Sequence, residues 1–141
     1  MRSNKSNPDA RQLDPVAWAK DKMKRFGWYI HFVPNDKEFP NDINFHTHGI
    51  AESFGHPDLQ ICFPLPQQVA HQILHHIVDE IKQGKTFEPG RKYGSIIAGN
   101  LNVEFIDAME FDRPVFRIVF PNKEGNYEGE MFTCQFEKTR I

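Results

Sequence analysis

His46 and His48 stand one residue apart in the run INFHTHGI at 43–50. In an extended strand alternate side chains leave the same face, so both imidazoles project to one side with Asn44 and Ile50. Ile43, Phe45 and Thr47 project to the other. Two imidazoles one pleat apart can share a transition-metal ion, because bonds of about 2.1 Å fit that separation. His56 and Asp58 follow a turn at 53–57 that can return them to the strand. His46, His48 and His56, with Asp58 as fourth ligand or base, form a candidate site for zinc, iron or manganese with an open position. The plainer account is that the pair lines a polar groove or packs under aromatics such as Phe54, each ring nitrogen satisfied by backbone or water. Two familiar metal patterns do not extend across the run. A metallo-β-lactamase loop would continue with Asp and His where Gly49-Ile50-Ala51 stands. The cupin spacing is met from His46 to Glu52, but Pro40 replaces its glycine and no histidine follows His76.

The other chemistry-bearing residues form weaker patterns. His71, His75 and Asp79 recur at i, i+4 and i+8, one polar stripe of a helix. His71 and His75 have the spacing of a zinc-protease helix, but Gln72 stands where that motif needs a glutamate base. A solvated face with His75–Asp79 and His76–Glu80 as i,i+4 pairs accounts for them. Cys62 and Cys134 lack the paired spacing of a structural zinc site and read as buried small residues in strand-like segments. Ser53 and Ser95 lie in no nucleophile elbow, Gly94 and Gly99 make no phosphate loop, and Glu128 with Glu130 suit a solvated turn.

These residues need elements to hold them. Asp14-Pro15 opens a helix over 14–26, with Val16, Ala19, Met23 and Phe26 at helical spacing and Gly27 as its left-handed cap. Residues 28–33, 43–50 and 58–63 read as strands, divided by Pro34-Asn35-Asp36, by Gly55 and by Pro64-Leu65-Pro66. A second helix spans 67–83, with Val69, Ala70, Ile73, Leu74, Ile77, Val78 and Ile81 as one apolar stripe and Gly84 past its end. Strand candidates follow at 93–98, 101–106, 115–120 and 131–136. Strands, one strong helix, then more strands predict an α+β fold: a mainly antiparallel curved sheet with both helices packed against it. Residues 1–13 are polar and aperiodic, a flexible tail before a single domain over 14–141.

A chain of 141 residues, with 39% hydrophobic residues and 13 Phe, can bury a core and is not a disordered polymer. It is too short for a TIM barrel and has no apolar run of membrane length. The opening residues lack the apolar centre of a signal peptide, so the expected location is cytoplasmic. A net charge of −2 gives no electrostatic reason to expect nucleic acid.

Several short motifs keep their order along the chain: Gly27-Trp28, then Thr47 with Gly49-Ile50, then His56-Pro57-Asp58-Leu59, then Leu65-Pro66, then Gly84, Phe87 and Gly90. This order resembles the bacterial domain-of-unknown-function family 4262 and runs from Gly27 to Asp107. In that family an aromatic residue usually precedes the Thr and an aliphatic one follows it; here those positions are His46 and His48. The resemblance implies a small bacterial cytosolic α+β protein and carries no catalytic role to any residue.

Two functional readings stand. The first is a non-catalytic binding or protein-interaction module, with a protein or small-molecule partner, self-associating through a sheet edge or the histidine-lined helix as a homodimer. The second is a metal-binding domain or metal-dependent enzyme using His46, His48, His56 and Asp58. Metal content of untagged protein separates them.

Overall fold

The computed structural model describes residues 14–139. The expected tail at 1–13 lies outside them. Helix α1, Pro15–Phe26, starts where Asp14 accepts a hydrogen bond from the Ala17 amide and ends at Gly27, whose φ is 83°. Strands β1, Tyr29–Pro34, and β2, Ile43–His48, form a hairpin, and a short helix α2, Ile50–Phe54, follows. Strand β3, Leu59–Ile61, leads to helix α3, Gln67–Lys82. Strands β4, Lys92–Tyr93, β5, Val103–Glu110, and β6, Arg113–Val119, complete the sheet, and helix α4, Glu130–Thr133, lies near the chain's end.

The six strands run in the order β1-β2-β3-β6-β5-β4. All neighbours are antiparallel except β3 and β6, which are parallel. The α+β architecture is as expected, with that one parallel pair making the sheet mixed. Register explains the two faces. Phe32, Phe45, Ile61, Ile118 and Phe105 are partners in turn across β1, β2, β3, β6 and β5. Four of them, Phe45, Ile61, Ile118 and Phe105, are buried in the core with Ile73, Leu74, Ile77 and Val78 of α3. One residue along, the row reads His31, His46, Gln60, Arg117 and Ile106. Pleating sends this row to the opposite face.

The C-terminal segment covers the part of that second face around Gln60 and Arg117. Arg117, 1% exposed, donates from Nε to Gln60 Oε1 at 2.6 Å and from Nη1 to the carbonyls of Gln135 and Glu137. Gln135 in turn bonds both the amide and the carbonyl of Phe120. Residues 131–136 are therefore not the expected strand but α4 and a 3-10 turn. A helical plug lets Gln135 serve the backbone at the end of β6. Cys134 lies in that plug half-buried, whereas Cys62 is fully buried as expected.

Other expectations need correction. The strand over 93–98 shrinks to Lys92–Tyr93. Val69, expected in the core, is 38% exposed, while Ile73, Ile77 and Ile81 are buried. The first turn of α3 thus extends past its apolar contact. Helix α1 buries no residue fully, and Val16 and Phe26 face solvent. Its attachment is made at its end. Gly49 has φ 102°, and a Cβ there would meet Gly27 O and Met23 Sδ, each at 2.5 Å. Ser53 Oγ also donates to Gly27 O at 2.7 Å.

Candidate metal centre

Antiparallel register sets His31 of β1 opposite His46 and Tyr29 opposite His48. Alternation along both strands then puts three imidazoles on one face. One ring nitrogen from each of His31, His46 and His48 lies within 4.8 Å of the other two. Ring centroids are 4.9 Å apart for His31 and His46, 4.8 Å for His46 and His48, and 6.4 Å for His31 and His48. Tetrahedral bonds of about 2.1 Å hold ligand atoms about 3.4 Å apart, so side-chain rotations of roughly an ångström close the set. His31 is exposed, His48 half-buried and His46 buried. An ion here would be reached from the His31 side.

Orientation of the buried ring is set by its neighbours. His46 Nδ1 lies 3.1 Å from Asn44 Oδ1, and Asn44 Nδ2 donates to Asp36 Oδ2 at 3.3 Å. An oxygen at Nδ1 places the hydrogen there, leaving Nε2 its lone pair. Metal-binding histidines are commonly oriented in this way by a second partner. His46 Nε2 lies 3.7 Å from Glu110 Oε2. Glu110 Oε1 accepts from Arg113 Nη2 at 3.1 Å. Arg113 also donates from Nη2 to Thr47 O at 2.8 Å and pairs through Nη1 with Asp58 Oδ2 at 3.0 Å.

Burial keeps His46 and His48 neutral. It pushes His46 down to about 3, helped by the like charges His48, His31 and Arg113 would present. His48 falls to about 4, chiefly through burial and then Arg113, with Asp58 acting in the opposite sense. At neutral pH the His46–Glu110 contact is therefore between a neutral ring and a carboxylate, not an ion pair. Neutral imidazole is also the form that binds a metal.

The structure brings together two of the four residues expected from the sequence. His56 is engaged elsewhere: Nδ1 is 2.9 Å from Pro57 O, and Nε2 accepts from the Phe87 amide at 3.2 Å. Its ring lies edge-on to Phe87 and Phe116. Asp58 is a clamp. Its Oδ1 accepts from Thr47 Oγ1 at 2.7 Å and the Ile50 amide at 3.0 Å, and Oδ2 meets Arg113. Neither joins a group of three or more ligating side chains among the described residues. His31 takes the place expected for His56. It was discoverable: the strand WYIHFV and the strand INFHTH flank a polar loop, and a hairpin centred on that loop sets His31 against His46. Glu110 carried no comparable signal, since it arrives from β5.

The helix histidines divide. His76 pairs with Glu80 at 2.9 Å as expected. His75 instead lies against Trp28, with centroids 4.8 Å apart.

The ordered motifs noted in the sequence now have structural duties. Gly27 and Gly49 allow α1 to meet the β2–α2 corner, Thr47 and Asp58 tie β2 to β3, and His56 anchors Phe87. No curated protein and no solved structure matches the chain. The family model for the domain of unknown function DUF4262 matches residues 22–114, from within α1 to the start of β6, and the chain belongs to that family.

Proposed function

We propose that the domain is a binding module for one divalent transition-metal ion, with zinc as the reference, held by His31, His46 and His48. The observation carrying this reading is the convergence of three ring nitrogens within 4.8 Å on one face of the sheet. The neutral rings of His46 and His48 and the Asn44 contact to His46 support it. Three protein ligands leave a coordination position for water or for a donor atom of a partner. Glu110 stands beside His46 and can accept a hydrogen bond from a group in that position.

A ligand that binds only the folded state stabilises it in proportion to the logarithm of its concentration over Kd, about 3 kcal/mol at a hundredfold excess. Zinc should therefore raise the thermal midpoint of untagged protein. The gain should vanish in His31→Gln, which alters an exposed ring and leaves the core intact. It should persist in His56→Gln, whatever that variant's own stability. Absence of a gain, or a gain surviving His31→Gln, contradicts the reading.

A further inference from the structure

A groove of about 490 Å³ separates α1 from α3 along the edge strand β1. Trp18 and Phe26 of α1 line one side, and Trp28, just before β1, lines it as well. This volume is within the range of small-molecule sites, which are mostly apolar with a few placed polar groups. The groove's charged groups are two cations and one anion. Lys22 comes from α1 and Lys82 from the last turn of α3, against the single carboxylate of Asp79. Neither lysine makes an ion pair among the described residues; Lys22 lies over the Trp18 and Phe26 rings and Lys82 over Phe54. His71 also lines the groove, and its buried Nε2 has no hydrogen-bond partner among the described residues.

We propose that this groove binds a small planar aromatic carboxylate. Flat indole walls favour an aromatic ring, through stacking or edge contacts. Two ammonium groups without a carboxylate partner among the described residues select an anion over a neutral molecule. A neutral hydrocarbon would give neither ammonium group a counter-charge. The inference does not rest on the metal reading, since no imidazole of the trio lines the groove.

The chain contains two tryptophans, and both line this groove, so indole emission reports on it. The experiment titrates the full chain with 2-naphthoate and separately with neutral 2-naphthamide, by calorimetry and by indole emission. The naphthoate should bind saturably below about 1 mM, with a matching change in emission, and the amide about tenfold more weakly. The double variant Lys22→Gln/Lys82→Gln should weaken naphthoate about tenfold and leave the amide unchanged. Circular dichroism checks that this variant keeps its fold. Four results overturn the proposal: no saturation, equal affinity for acid and amide, a double variant that binds like the parent, or heat without a change in emission.

Discussion

Burial of His46 and His48 carries a cost that depends on pH. In the unfolded chain an ordinary histidine takes a proton near pH 6.5; folded His46 does so only near about 3 and His48 near about 4. Between those limits the unfolded state binds more protons, so stability is complete above pH 6.5 and falls as the pH drops below it. His46 alone should remove about 2 kcal/mol between pH 6.5 and pH 5. Urea denaturation in metal-free buffer should show the midpoint falling over this range, and His46→Gln should flatten the fall. A midpoint that holds steady in the parent would contradict the buried neutral ring. At this scale the sequence was half legible. The period of two fixed the common face of His46 and His48, because that depends only on the strand. The third ligand depends on which strand pairs with it, and the nearer candidate, His56, is drawn off by the Phe87 amide.

Among the elements, α3 was the most legible, because its apolar stripe repeats over four turns and is closed by Gly84. Its central residue Ile77 is 0% exposed. Ile77→Asp would set a carboxylate among Leu74, Val78 and the sheet with no partner in the core. The expected result is an unfolded or severely destabilised chain, a loss of at least about 4 kcal/mol by denaturation. A variant as stable as the parent would mean that another face is inward. Helix α1 was legible from its caps but not in its packing. Its apolar residues suggested a buried stripe, yet Val16 and Phe26 are exposed. Amphipathic spacing shows which face can be buried, not whether a partner surface reaches it. The strand expected at 93–98 failed for a related reason. After Tyr93 the chain leaves the edge of β5, and no strand remains for it to pair with.

At the scale of the whole molecule, the C-terminal segment covers the polar face of the sheet around Arg117. Gln135 is 0% exposed and its side chain makes three hydrogen bonds, to the Phe120 amide, the Phe120 carbonyl and the Phe132 carbonyl. Gln135→Ala leaves those backbone groups unsatisfied and opens a gap beside Arg117. A loss of about 2–3 kcal/mol should follow in equilibrium denaturation, with the slope unchanged. A loss below about half a kilocalorie would show that the segment is not anchored there. This cover could not be read from the sequence, where Phe132 and Phe136 suggested another strand. The parallel pairing of β3 and β6 was equally hidden, since contacts between such distant segments leave no local period. The family motifs were visible as short runs, but their duties are longer-range: Thr47 meets Asp58, 11 residues further along the chain, and Gly49 meets Gly27 and Met23.

The account turns on one ion and three histidines. Equilibrium dialysis of untagged protein against zinc, followed by elemental analysis, tests it most directly when run on the parent, His31→Gln, His48→Gln and His56→Gln. The account predicts one zinc per chain in the parent and in His56→Gln, and loss of the ion in His31→Gln and His48→Gln. A parent that retains no zinc, or one whose zinc survives His31→Gln and disappears in His56→Gln, would contradict it.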